Sequence, residues 1–122
     1  MRHLGLLLLR LGMSIAMIYG HGYPKLMKAI NGDMSFLDPL GFGQVPTLIL
    51  AILSEVVFPI LVIIGFKTIL ATIPVALTMA VAFFVVHAHD PFNGNKELAL
   101  LFLIGFTTVG LLGPGRYSID RT

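Results

Sequence analysis

Apolar residues run through this chain in four stretches, separated by connections rich in glycine, proline and polar side chains. About 20 helical residues, at 1.5 Å of rise each, cross the roughly 30 Å hydrocarbon core of a bilayer. The pattern predicts transmembrane helices at about 4–21, 45–64, 68–87 and 98–112. The expected fold is therefore all-α: an antiparallel transmembrane four-helix bundle formed by one domain over 1–122. Arg2 before an apolar run has the look of a signal peptide, but Arg10 interrupts that run and no small-x-small cleavage site with a soluble domain behind it follows. The first stretch is read as a retained helix.

Of the connections, the one over 22–44 is long. It holds Pro24 and Pro39 and several Gly and Asp, yet also Leu26, Met27, Ile30, Phe36, Leu37, Leu40 and Phe42. A wet loop has no use for so many large apolar side chains. The segment 24–30 is expected to form a short interfacial helix, and the connection to cap the outer mouth of the bundle. Residues 65–67 form a tight inner turn, and Pro91 with Asn93-Gly94-Asn95 marks an outer one. Gly113-Pro114-Gly115 stops the fourth helix, and Tyr117 is placed as an interfacial aromatic.

Composition sharpens this picture. The chain is 57% hydrophobic and 11% charged, against roughly a quarter charged in a soluble domain. Lipid is thus the solvent for most of its surface. The net charge of +2 arises from Lys and Arg scattered at helix ends, which suits a membrane surface and not nucleic acid. Cysteine is absent, excluding a disulfide or thiol relay within the chain. Arg2, Lys67, Arg116 and Arg121 fall on one side. Lys25, Lys28 and Lys96 fall on the other, beside Asp33, Asp38, Asp90 and Glu97. The positive-inside rule then predicts cytoplasmic N and C termini.

Against this background two charges inside apolar stretches, Arg10 and Glu55, demand a reason, because a charge at bilayer depth costs about 2.5 to more than 10 kcal/mol. Arg10, Ser14, Met17 and His21 are spaced four, three and four apart and share one helix face. Counted from the inner helix ends, Arg10 lies about 10 Å deep and Glu55 about 15 Å. The two are expected to pair, with Ser14 beside them, as an intramembrane polar site. Pro59 cannot donate to the Glu55 carbonyl, which leaves a free acceptor and a kink beside the carboxylate. The plainer reading is a structural pair that fixes helix registry.

A second polar cluster is expected at the outer mouth, formed by His21, Lys25, His87, His89 and Glu97, with Asp90 nearby. Glu97, Leu101, Ile104 and Thr108 share a face that could turn Glu97 inward. No metal is assigned, since His87 and His89 splay if helical and no other ligand stands at a motif spacing. Histidine and lysine at a mouth suit hydrogen bonding to an oxygenated headgroup, proton exchange with water, or plain solvation of helix ends. Gly12, Ala16 and Gly20 recur every four residues. Such a stripe packs on another backbone, within the bundle or in a homo-oligomer.

Taken together, Leu9-Arg10-Leu11-Gly12, His21-Gly22 with Lys25, the intramembrane Glu55, Gly65-Phe66-Lys67, His87-Ala88-His89-Asp90-Pro91-Phe92, Lys96-Glu97-Leu98-Ala99-Leu100-Leu101 and Gly113-Pro114-Gly115-Arg116-Tyr117-Ser118-Ile119-Asp120 give the chain its kinship. In their order and spacing it resembles the DoxX family of small bacterial four-helix membrane proteins. Val56-Val57 departs from the glycines that follow the glutamate in many relatives. The resemblance implies a multi-pass protein of the bacterial inner membrane. It also implies links to thiosulfate oxidation, redox stress, and quinones or phenols, with oxidoreductase chemistry among members.

Two kinds of function then compete, with catalysis in this chain left unassigned. One is a quinone-interacting, redox-linked subunit in which quinone is the cofactor and a redox partner protein supplies electrons, since no haem, flavin or thiol motif is visible. The other is non-catalytic: a proton or small-solute conduit along the polar stripe, or an assembly partner in which the charges set registry.

Overall fold

The computed structural model describes residues 1–121 and is all-helical there. Four helices are long and apolar enough to cross a membrane: α1 (Arg2–Ile30), α2 (Gln44–Ile64), α3 (Thr68–Val86) and α4 (Asn95–Leu112). Apolar side chains on the outward faces remain exposed, as lipid requires. On α2 these include Leu50, Leu53, Val57, Ile60 and Ile64, and on α3 Leu70, Ile73, Leu77 and Phe84. The packed centre is built from Met17, Val62, Val75, Phe102, Phe106 and Val109.

The first helix differs from its expected extent. Instead of ending near residue 21 and giving way to a separate interfacial helix, α1 runs on through Tyr23–Ile30. The continuation depends on a π turn at Ile18–Gly22, in which the Tyr23 N–H reaches back to the Ile18 carbonyl. Pro24 follows directly and has no N–H to give, so the wider turn absorbs its irregularity without breaking the helix. The same device recurs in α2. The Phe58 N–H bonds the Leu53 carbonyl across a π turn at Leu53–Val57, immediately before Pro59. These two π turns pack on one another. Gly22 makes the approach close, for a Cβ there would collide with the Glu55 carbonyl oxygen.

The two ends of the bundle are built differently. At the end carrying both termini, the segment after α4 folds back across the turn between α2 and α3. Ile119 N–H bonds the Ile64 carbonyl at 3.1 Å, and Asp120 N–H bonds the Gly65 carbonyl at 2.9 Å. Gly65 has φ +72° and lies where a Cβ would strike Ser118, so glycine is required twice over. The Asp120 carboxylate accepts the N–H groups of Lys67 (3.0 Å) and Thr68 (2.8 Å) and caps α3 from 52 residues away. Burial pushes its carboxyl up, but these backbone donors outweigh that and, with Arg10 nearby, hold it below the usual carboxylate range.

At the other end, the connection between α1 and α2 is pinned by its polar residues. Asp33 pairs with Lys28 at 3.3 Å and accepts the Ser35 hydroxyl at 2.6 Å. Asp38 accepts the Gly43 N–H at 3.1 Å and the Thr47 hydroxyl at 3.3 Å. Between these pins, Phe36, Leu37, Pro39, Leu40 and Phe42 face a cavity. The connection lies along that mouth of the bundle, with Leu37, Leu40 and Phe42 still half or more exposed.

Candidate functional site

Beneath this connection lies a cavity of about 570 Å³. Its walls are mostly apolar, from Leu50 and Ala51 on α2, Leu77, Met79 and Val86 on α3, and Ala99 and Phe102 on α4. Its polar lining includes His21, Lys25, Ser54 and Glu55. Glu55 is held at the crossing of the two π turns, with its side chain only 4% exposed. Lys25 reaches back from the extended part of α1 and places its ammonium 2.8 Å from Glu55 Oε1. Lys25 also donates weakly to the His21 carbonyl at 3.4 Å. The His21 ring stands edge-on to Phe102, with centroids 5.3 Å apart.

This pairing corrects the expected Arg10–Glu55 contact. Arg10 is 1% exposed, but its guanidinium turns toward the terminal end. Nε donates to the Val62 carbonyl (3.1 Å) and Nη1 to those of Pro114 (2.7 Å) and Tyr117 (3.1 Å). Nη2 donates to the carbonyls of Ile63 (3.1 Å) and Tyr117 (2.9 Å). All five N–H donors of the fork are used. The reason is local supply: the last turn of a helix and a non-helical tail both offer carbonyls with spare acceptor capacity. Arg10 binds them without needing a carboxylate. Glu55, deprived of Arg10, is served by the cation that the continuing α1 brings into reach.

The remaining expected residues divide in the same way. Ser14 is fully buried on the inward face of α1, and its hydroxyl has no hydrogen-bond partner among the described residues. It makes no hydrogen bond to the Lys25–Glu55 pair and does not line the cavity. His87 reaches the cavity wall, with Nδ1 2.6 Å from Asp90. His89 is exposed, outside the lining. Glu97 is also exposed, which corrects the inward orientation expected for it. Its face carries Leu101 and Ile104, both more than half exposed, whereas α4 buries Ala99, Phe102, Gly105, Phe106 and Val109. The bulky aromatic residues and the close-packing glycine claim the interior, so the Glu97 face turns to lipid. Gly12 and Gly20 have open space around them and Ala16 is exposed, so this stripe packs on nothing among the described residues.

Sequence reasoning missed Lys25 as the partner of Glu55, and Ser54. The signal for Lys25 was present: it stands four residues beyond His21 and extends the Arg10, Ser14, Met17, His21 face by one more turn.

Four membrane-crossing helices around a half-buried ion pair and a lipophilic cavity define a multi-pass integral membrane protein. The family model of DoxX matches residues 5–88, a span from α1 through α3, and the chain belongs to the DoxX family. Compared with curated proteins and with solved structures, the chain matches none.

Proposed function

We propose that the cavity binds an oxygenated aromatic ring of the quinone or phenol type, and that the protein is a quinone-interacting subunit of a redox-linked membrane process. The observation carrying this reading is an apolar chamber of about 570 Å³ whose ionisable lining is His87 and a linked group of Lys25, Glu55 and His21. Ligand pockets combine apolar walls with a few convergent polar groups in this way. The walls suit the ring, while the Lys25 ammonium suits a ring oxygen as a hydrogen-bond donor. Glu55 and His21 suit proton exchange with a ring hydroxyl. Reducing a quinone takes two electrons and two protons. This reading gives ligand binding and proton exchange to this chain and assigns the electrons to a partner protein.

The Lys and Arg distribution supports a topology with both ends in the cytoplasm of a bacterial inner membrane and the cavity on the outer side. A conduit is less well supported. Met17, Val62, Val75 and Phe106 are packed across the polar stripe between Arg10 and His21, and the Arg10 donors are all engaged. A purely structural role accounts for Arg10 but leaves the chamber without a purpose.

The test is purification in mild detergent, extraction of bound quinone, and titration with decylubiquinone while following thermal unfolding. Wild-type protein should retain quinone and gain stability on titration. Glu55→Gln and Lys25→Met should each weaken binding at least tenfold with an unchanged far-ultraviolet circular dichroism spectrum. Protein that carries no quinone, and whose unfolding is indifferent to added quinone, would sink the proposal.

A further inference from the structure

The walls of the chamber extend to the lipid-facing surface. Leu50 lies on the outward stripe of α2 and Leu77 on that of α3, 51% and 63% exposed, and both line the cavity. The two helices pack closely where Phe58–Ile64 meets α3, but the half of α2 over Gln44–Ile52 does not pack along α3 in the same way. A pair of prolines marks where they part. Pro59 stands seven residues before Phe66 in the connecting turn and Pro74 eight after it, so both lie about 10–12 Å from the turn. Each removes one backbone N–H and disfavours a straight helix at that level. Beyond them the hairpin opens, and Pro74 and Thr78 form part of the chamber wall.

We propose that the ligand is a membrane-dissolved amphiphile with a hydrocarbon tail, which enters sideways from the bilayer between α2 and α3 and leaves its tail in that cleft. The inference rests on the ligand-binding reading above and adds its route and its class. On the water side, a connection tied down by Asp33 and Asp38 lays Phe36, Leu37, Leu40 and Phe42 along the chamber, with Leu37, Leu40 and Phe42 half or more exposed. On the lipid side, the flanking surface of Leu50 and Leu77 is as apolar as an acyl chain. A polar head can reach Lys25 and Glu55 from the membrane while its tail exchanges one hydrocarbon surface for another.

The chain has no cysteine, so a nitroxide label can be placed at one chosen position. Ser54→Cys sits in the chamber wall; Ala51→Cys, also buried and in the lining, serves if the first variant does not fold. In lipid nanodiscs, relaxation by dissolved oxygen should exceed relaxation by a water-soluble nickel chelate several-fold. Relaxation dominated by the chelate, or exclusion of both, overturns the lateral route. Decylubiquinone and its tail-less ring are then compared at equal membrane concentration. The tailed form should bind at least tenfold tighter, and Thr78→Trp should slow its uptake at least tenfold. Equal affinity of the two forms overturns the tail assignment. If oxygen reaches the label and neither quinone binds, the quinone reading fails and the route stands. If both bind and only the chelate reaches the label, the route fails and the quinone reading stands.

Discussion

Arg10 and Lys25 lie on the same face of one helix, yet the two ends of the bundle use their charges in opposite ways. Arg10 is saturated by four backbone carbonyls, two from the end of α2 and two from the tail. It has no donor left for a ligand. Lys25 holds a single carboxylate oxygen at the edge of a cavity, and its side chain is about a quarter exposed. Three donors on a flexible stem leave it room to exchange partners. An intramembrane charge is thus no guarantee of a reactive site. What separates the two is whether neighbouring groups have used up its bonding capacity.

The contrast breaks first at Arg10. Arg10→Met should remove the side-chain donor from four carbonyls, of which Val62 alone keeps a backbone donor among the described residues, Gly65 N–H at 3.2 Å, at about 1–3 kcal/mol for each that stays unpaired. We expect a loss of about 3–5 kcal/mol or failure to accumulate. Arg10→Lys should not rescue it, because a compact ammonium cannot span the fork. Thermal unfolding and protease cleavage after residue 113 report this; a loss of under about 1 kcal/mol would contradict the saturated role.

At the helix crossing, Gly22→Ala should cost about 1–3 kcal/mol, since the added methyl meets backbone at Glu55 and not a yielding side chain. Gly12→Ala, in open space, should be neutral or stabilising by up to about 1 kcal/mol. Equal costs at the two positions, in chemical denaturation of the detergent-solubilised protein, would show that Gly12 has a partner outside this chain.

Glu55→Gln sharpens the other side of the comparison. A partly exposed Lys25 can carry its ammonium toward the membrane surface once unpaired. Stability should fall by only about 1–2 kcal/mol, with helix content kept. A fall as deep as that for Arg10→Met would make Glu55 a structural anchor too.

The smallest effect belongs to Asp120. Its carboxyl is held below the usual carboxylate range, so its contribution is complete above the unfolded value near 3.9 and drains away as pH falls through the folded one. For so exposed a group, screening leaves about 0.5 kcal/mol. Wild type should therefore lose stability relative to Asp120→Asn below about pH 4. Parallel stability profiles across that range would remove the cap from the account.

Much of the architecture was legible in the pattern. The four apolar stretches are composition and periodicity, and each reappears as a helix, the first one longer than expected. The apolar residues of the first connection announced its place along the cavity, where Phe36, Leu37, Leu40 and Phe42 form part of the lining. What stayed hidden were effects of the backbone. Pro24 reads as the start of a new helix, and only the π turn before it lets α1 continue and deliver Lys25 to Glu55. The partners of Arg10 are carbonyls, which every residue carries, so no residue type marks them. Glu97 was misplaced because spacing gives a shared face but not its direction. Bulk at Phe102 and Phe106 decided that.

One consequence of the Arg10 cradle concerns time. Its acceptors at Pro114 and Tyr117 are made 104 and 107 residues later. At about 5–20 residues per second on the ribosome, the nascent first span must hold a guanidinium with unfilled donors for roughly 5–20 s before its seat exists. The seat of Arg10 is therefore completed only once the segment with Pro114 and Tyr117 has been made, and until then the early helix depends on water, lipid headgroups or an insertion factor to shelter its charge.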